Sequence, residues 1–215
     1  MKACNRASSL DQLFPYIIVP VLTDDLLNDI EALLVSNGMQ KTADHAKAVA
    51  KIGVQIADQY GLERSICELS AYLHDISAVV RADDMLGYAI ESSWEIDISE
   101  RKYPFLLHQM ISRVIAELGF SITDERVLDA VECHTTLRAD PSKYDMALFI
   151  SDKLAWDQEG EPPYYSEVAD ALNRSLEEAS LAYMDYIVDN NMILHPHKWF
   201  EEGVMCLQNS QKKDR

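Results

Sequence analysis

The residues of this chain best suited to chemistry are four histidines and two aspartates. They stand in the order His45, His74, Asp75, His108, His134 and Asp152. The adjacent pair His74-Asp75 alone carries little information, because a His-Asp dipeptide is common. In an ordered series, imidazole and carboxylate groups are ligands that suit divalent iron, manganese, cobalt, zinc or nickel. The series therefore predicts a metal site, and the chemistry we expect there is hydrolysis of a phosphate ester or anhydride.

A metal suits this chemistry because it lowers the pKa of bound water and holds phosphate oxygens. Neutral imidazoles fix such an ion without cancelling its charge, whereas a carboxylate can bridge two ions. Adjacent residues of a helix diverge by about 100°. His74 and Asp75 can therefore share a site best near a helix end, where Asp75 could reach a second ion.

The elements that must position these residues read as helices. Apolar residues recur at helical spacing, as at Val49, Ile52 and Ile56, which follow His45. The helices predicted to carry the series span 42–60, 63–77, a segment from Pro104, a segment from Thr123 to His134, and 141–154. Residues 81–102 read as a looser acidic stretch, and one helix of about 25 residues is predicted between Pro163 and Asn190.

No run alternates with period two for long enough to predict a sheet, so we expect an all-α bundle. Residues 1–37 are interpreted as an N-terminal strap and helix, residues 38–156 as the catalytic core, and residues 157–215 as a helical extension packed on the core. His195 and His197 are interpreted as loop residues outside the site.

Composition limits the partners and the compartment. A formal net charge of −17 over 215 residues disfavours nucleic acid, although a small nucleotide is compatible with it. The segment 13–22 is apolar, but it is only about half a membrane span and contains two prolines. The four cysteines form no Cys-x-x-Cys pair. We therefore expect a cytoplasmic protein without a membrane partner; a homodimer is left open.

The series resembles a known family. The order His45, His74-Asp75, Asp152 is similar to that of the HD-domain metal-dependent phosphohydrolases. Leu106-Leu-His108 and Cys133-His-Thr-Thr136, followed by Phe149-Ile-Ser-Asp-Lys153, resemble the bacterial HD enzymes that cleave dinucleoside tetraphosphates symmetrically. The resemblance covers roughly residues 38–156.

The resemblance implies a role for each matching residue. The first ion, an iron- or manganese-like one, would be held by His45, His74, Asp75 and Asp152. A second ion or the phosphates would be contacted by His108 and His134, which with Asp75 would be catalytic. The nucleotide pocket would be lined by His108, His134, Thr135, Thr136 and Lys153. The implied cofactor is one or two divalent ions of iron, manganese or cobalt, and the implied partner is a nucleotide or dinucleoside polyphosphate.

The sequence departs from the family pattern around the substrate. Thr42 stands where an arginine is usual, Ala78 where a lysine is usual, and Leu137 where a glycine is usual; Arg81 is a candidate substitute for the lysine. Two alternatives therefore stay open: hydrolysis of another phosphorylated nucleotide, or a metal-containing nucleotide sensor with little turnover. Trp156, Tyr164 and Tyr165 could stack on a base, but core packing is favoured for them.

Overall fold

A computed structural model describes residues 10, 12–156 and 158–213 of the chain. Its eleven labelled α-helices are α1 (Leu26–Ser36), α2 (Gln40–Tyr60), α3 (Arg64–Leu73), α4 (Ala82–Glu91), α5 (Ile98–Lys102), α6 (His108–Val114), α7 (Glu125–Cys133), α8 (Lys143–Leu154), α9 (Tyr165–Leu172), α10 (Leu176–Asp189) and α11 (Lys198–Lys213). No strand occurs in these described ranges, so the all-α prediction is confirmed. None of the helices described is long and apolar enough to cross a membrane.

Tighter and wider turns join several helices near the predicted site. 3₁₀ turns span Ile76–Val79 and Pro104–Leu107, and a π turn at Ile115–Gly119 continues α6. The predicted helix over 63–77 is therefore wrong beyond its C-cap His74, because the backbone leaves the α-helical conformation at Asp75, where φ is −111°. The acidic stretch predicted to be loose instead contains α4 and α5, and α5 begins with a capping box between Asp97 and Glu100.

The described part of the N-terminal strap packs on the bundle. Phe14 and Ile17 are buried in the first core cluster. Asn37, which follows α1, pairs with the strap at Ile18: its Oδ1 accepts the Ile18 N–H, and its Nδ2 donates to the Ile18 carbonyl, both at 2.8 Å. Residues 1–9 and 11 of the predicted strap lie outside the described residues.

Two apolar clusters form the core. The first unites the strap with α1 to α4, α6 and α7 and includes Ile30, Leu73 and Ile111. The second unites α8 to α11 and includes Phe149 and Met184. Ile52 of α2 and Tyr144 of α8 pack against both clusters, so these two helices connect the halves of the molecule.

In the C-terminal extension, two helices stand where one long helix was predicted between Pro163 and Asn190. α9 ends at Leu172, and the side chain of Ser175 caps the start of α10 by accepting the Glu178 N–H. α10 lies on α8, with the ring of Tyr183 5.4 Å from that of Phe149 at a steep angle. The extension thus covers one face of α8, the helix to which Asp152 belongs.

Truncation after Gly160 tests whether the core needs this cover. The shortened chain loses α9 to α11 and exposes Phe149 and Ile150, both of which are fully buried. Exposing large apolar side chains costs roughly 1.5–3 kcal/mol each, so we expect insoluble protein or a helix content well below native by circular dichroism. A control truncation after Ser210 should stay soluble. A soluble, cooperatively melting 1–160 fragment would contradict this dependence.

Candidate metal centre

The six predicted site residues come from five segments of the chain that meet at one place. His45 lies in the second turn of α2, and Asp152 lies near the end of α8. The others stand at helix boundaries: His74 caps the C-terminus of α3, Asp75 follows it, His108 opens α6, and His134 caps the C-terminus of α7. The prediction that His74-Asp75 needs a helix end agrees with this geometry.

Three of the histidine rings are held in the same local way. The Nδ1 of His74 bonds the Ala71 carbonyl at 2.7 Å, that of His108 bonds the Phe105 carbonyl at 2.8 Å, and that of His134 bonds the Val131 carbonyl at 2.8 Å. The carbonyls in the last turn of a helix lack intrahelical partners and are free to accept. Because a carbonyl only accepts, each Nδ1 carries the hydrogen, and a neutral ring presents a lone pair at Nε2.

These lone pairs face one another. The Nε2 atoms of His108 and His134 are 3.0 Å apart, and both are 3.4–3.5 Å from Oδ1 of Asp75. Two acceptors at that distance repel unless a proton or cation lies between them. Two atoms that bind one ion at about 2.1 Å lie about 3 Å apart when they are neighbours around it. The spacing therefore fits a divalent metal.

Two overlapping groups of donor atoms could hold ions. The first comprises His45, His74 and Asp152, and the second comprises His74, Asp75 and His134; within each group the ligand atoms lie within 4.8 Å of one another. Nε2 of His74 belongs to both and, among the described residues, has no hydrogen-bond partner although it is fully buried. A buried polar atom is normally satisfied, so this orphaned nitrogen supports the fit to a metal.

The electrostatics of the ion-free site keep Asp75 ionised and favour a proton on His74. Burial acts to raise the pKa of the Asp75 carboxyl, but the neighbouring His74 and His134 outweigh it and hold that pKa well below its usual range. Burial lowers the pKa of His74, but the charges of Asp75 and Asp152 outweigh burial and raise it to about 9. His108 differs, because burial and the charge of His134 lower its pKa to about 4.

An open cleft of about 290 Å³ leads to the aspartates. It is lined by Lys41, Thr42, His45, Asp75, Asp152, Lys153, Ala155, Trp156 and Tyr164. Nζ of Lys153 lies 2.5 Å from Oδ2 of Asp152, which leaves Oδ1 of the same carboxylate facing His45 at 3.0 Å. Trp156 and Tyr164, for which core packing was favoured, both line the cleft, and Tyr164 is also buried in the second core cluster as predicted.

The threonines after His134 occupy different environments. Oγ1 of Thr135 lies 3.0 Å from Nε2 of His108, beside the ligand atoms. Thr136, which the resemblance places in the nucleotide pocket, is instead only 4% exposed and accepts a hydrogen bond from the Gln109 amide at 3.1 Å. Gln109 also accepts the Thr135 N–H, so it ties this segment to α6.

Sequence reasoning missed Gln109 and a pair of serines. Gln109 is fully buried, and its only signal was a polar residue directly after His108. Ser77 donates its hydroxyl to the His108 carbonyl at 2.8 Å and accepts a hydrogen bond from Ser112. These contacts fix the start of α6 against the 3₁₀ turn that follows Asp75.

The residues that depart from the family pattern lie in different environments. Thr42 lines the cleft beside Lys41. Ala78 packs against the first core cluster. Arg81, the candidate substitute cation, instead pairs with Asp84 at 2.8 Å on the exposed surface and lies over the Tyr16 ring.

Leu137 explains why a glycine is usual at its position. Its φ is 56°, in the left-handed region that disfavours side chains with a Cβ. The Leu137 side chain is fully buried in the second core cluster, so its burial offsets the backbone strain.

Comparison with known proteins places these residues in a family. A family model described as "HD domain" matches residues 42–157, which is about half of the chain. A solved HD superfamily hydrolase from Clostridium acetobutylicum, described as involved in NAD metabolism, superposes with a TM-score of 0.75 at 23% identity. That match covers 85% of this chain and 97% of the other.

Two curated relatives share more sequence. An uncharacterised protein from the pepC 5′ region of Lactococcus lactis subsp. cremoris is 31% identical over 181 residues, covering 83% of this chain and 90% of the relative. A symmetrical bis(5′-nucleosyl)-tetraphosphatase from Staphylococcus aureus is 33% identical over 118 residues, covering 54% of this chain and 59% of the relative.

Replacing Asp75 by alanine should empty the site of metal. Asp75 is within 3.5 Å of three imidazole nitrogens, and no other carboxylate in the described ranges is placed to substitute for it in the second donor group. Manganese or iron affinity should fall by at least about 100-fold, the upper end of what even outer-shell partners cost. Metal analysis of purified protein checks this, with Asp84→Ala as the control. Full metal content in Asp75→Ala would refute the assignment.

Metal binding should release a proton near pH 7. With a pKa of about 9, His74 is protonated below that pH in the ion-free protein, and a ligand imidazole must be neutral. Apparent affinity should therefore rise about tenfold per pH unit between pH 6 and 8 and level off above pH 9. Calorimetric titrations in two buffers of different ionisation enthalpy measure the released protons. Equal heats in both buffers would show that His74 is already neutral.

Leu137 offers a matched pair of stability tests. Leu137→Ala loses the buried side chain and keeps the strained φ, whereas Leu137→Gly loses the side chain and relieves the strain. We expect both to be destabilised, Leu137→Ala by about 2–5 kcal/mol and Leu137→Gly by roughly 1 kcal/mol less. Urea denaturation checks the order, and a glycine variant less stable than the alanine variant would contradict the strain argument.

Proposed function

Because this chain belongs to the HD-domain family of metal-dependent phosphohydrolases, we propose that it hydrolyses nucleotide polyphosphates, and that dinucleoside tetraphosphates cut into two nucleoside diphosphates are its substrates. The observation that carries the proposal is the convergence of Nε2 of His74, His108 and His134 on the Asp75 carboxylate. That arrangement offers adjoining donor groups to metal and phosphate.

A bound divalent ion, for which iron, manganese or cobalt is our proposal, would lower the pKa of water and polarise phosphate oxygens. His45, His74, Asp75 and Asp152 would hold it. The two carboxylates stay ionised because their pKa values lie below the usual range. They can therefore accept hydrogen bonds from the attacking water and orient it.

The phosphate chain would meet cations in the cleft. Lys153 stays charged, because the attraction of Asp152 outweighs burial and raises its pKa. Lys41, beside Thr42 on α2, also lines the cleft. His108 and His134 would contact the phosphates or a second ion that stabilises negative charge on the leaving oxygen.

Trp156 and Tyr164 supply a surface for a nucleobase. Their rings lie edge to face, 6.4 Å apart, at the end of the cleft that follows α8. The indole nitrogen of Trp156 is buried and, within the described residues, lacks a hydrogen-bond partner. It could donate to a ribose or base oxygen while a ring stacks on the base.

A symmetrical cut follows if water attacks an inner phosphorus. The new bond forms from the water oxygen to that phosphorus, and the bond to the central bridging oxygen breaks. Each half then leaves as a nucleoside diphosphate, with one water consumed. The name of the Staphylococcus aureus relative supports this choice of substrate.

A sensor with little turnover is the second candidate. Ala78 packs against the core, and Arg81 is engaged by Asp84, so neither brings a cation to the phosphates where the family usually has a lysine. Weaker stabilisation of transition-state charge would slow turnover and still allow nucleotide binding.

His134→Ala should lower kcat more than it raises KM. His134 is not among the residues that line the cleft and, in this proposal, acts on developing charge, so its loss should cost about 100-fold or more in kcat, with KM changed less than about threefold. Steady-state kinetics with diadenosine tetraphosphate and manganese measure both values. His195→Ala, on the surface beside Lys102, is the control.

The reaction products distinguish a symmetrical hydrolase from an asymmetrical one and from a sensor. Two diphosphates support the symmetrical cut, whereas monophosphate plus triphosphate would contradict it. If the unaltered protein, loaded in turn with manganese, iron and cobalt, binds diadenosine tetraphosphate and yields no product, the sensor replaces the hydrolase.

A further inference from the structure

A second cavity, of about 420 Å³, lies away from the metal centre. It is lined by Trp94, Glu95, Ile96, Asp97, Ile98, Glu100, Met110, His197, Lys198 and Trp199. Met110 and His108 both belong to α6, but residues two positions apart point about 200° apart around a helix. The cavity and the metal centre therefore use opposite sides of α6.

A buried carboxylate with free bonding capacity belongs to this cavity. Glu100 is only 1% exposed, and its Oε2 accepts the Asp97 N–H at 2.8 Å in the capping box of α5. Its Oε1 is buried and accepts no hydrogen bond from any residue that the structure describes. Burying a carboxylate oxygen without a partner is costly, so capping alone does not account for this side chain.

His197 leaves that oxygen available. Nδ1 of His197 accepts the Trp199 N–H at 3.1 Å, so a neutral ring carries its hydrogen on Nε2. Nε2 lies 3.4 Å from Oε1 of Glu100, which is a long contact that does not make a hydrogen bond. Imidazole and carboxylate thus stand side by side, and Oε1 keeps the capacity to accept a hydrogen bond.

The other residues that line the cavity indicate which kind of hydrogen-bond donor would bind to Glu100. Trp94 and Trp199 offer aromatic faces, and Ile96 and Met110 add apolar surface. Three carboxylates line the cavity, whereas Lys198 reaches out to Glu202 at 3.8 Å. An acidic, tryptophan-walled cavity attracts cations and repels phosphates.

We propose that this cavity binds an organic cation, namely a protonated amine on an aromatic body. The ammonium group would donate to Oε1 of Glu100, and the aromatic body would lie between Trp94 and Trp199. The cavity falls in the ordinary size range of small-molecule sites, roughly 300–1,000 Å³. The proposed cation site does not depend on the proposed substrate cleft, so either proposal can be refuted without affecting the other.

Two probes of matched size and opposite charge test the proposal. The metal-loaded full chain is titrated with 2-phenylethylammonium and with 3-phenylpropionate, and binding is followed by calorimetry and by saturation-transfer NMR. We expect the cation to bind at least tenfold more tightly than the anion. Equal affinity for the two probes, or no binding of the cation, would overturn the proposal.

Variants locate the binding. Glu100→Gln removes the charge and keeps a side chain that can complete the capping box, so affinity for the cation should fall at least tenfold. Glu117→Gln, the same change at an exposed position, should leave affinity unchanged. Cation binding by Glu100→Gln equal to that of the unaltered protein would refute the role of the carboxylate.

Trp199→Leu provides a second variant should Glu100→Gln fold poorly. It removes one aromatic wall and the edge-to-face contact with His197, whose ring centroid lies 5.5 Å away. Cation affinity should fall at least fivefold, with the melting transition recorded alongside. An unchanged affinity in this folded variant would place the cation elsewhere and overturn the proposal.

Discussion

The metal centre depends on hydrogen bonds between histidine Nδ1 atoms and carbonyl groups three residues earlier in the chain. Each such carbonyl is available because a helix or 3₁₀ turn ends beside it, as at Ala71 and Val131. The bond fixes the tautomer and directs Nε2 into the site. Helix termination at Leu73 and Cys133 is therefore as necessary to the centre as the histidines themselves.

The sequence carried much of this information, because it is local. Apolar spacing predicted α2 within two residues of its observed start, and the adjacency of His74 and Asp75 predicted a helix end. The 3₁₀ turn after Asp75 was not predicted, since its residues, Ile76–Val79, continue an apolar pattern that suits a helix equally well. What stops the helix there is tertiary: Ser77 bonds across to α6.

Residues that complete the site through distant contacts were harder to predict. Gln109 matters because it meets Thr135 and Thr136, and no spacing within α6 reveals that partner. Tyr164 reaches the cleft because the extension folds back on α8, where its hydroxyl donates to the Lys153 carbonyl at 3.2 Å. The break at Ser175, between α9 and α10, is a helix cap that the continuous apolar stripe concealed.

The cleft works in an acidic protein because its charges are paired locally. Lys153 pairs with Oδ2 of Asp152, whereas Oδ1 faces His45. One carboxylate can therefore contact the lysine on one side and a metal ion on the other. Each additional anionic ligand strengthens metal binding but weakens the attraction of the cleft for phosphate. Lys153 offsets this weaker attraction for phosphate. Because Ala78, which packs against the core, carries no charge, that balance rests more heavily on Lys153 and Lys41. We therefore propose that residues of α2 and α8 that line the cleft set the substrate preference more than the turn after Asp75 does.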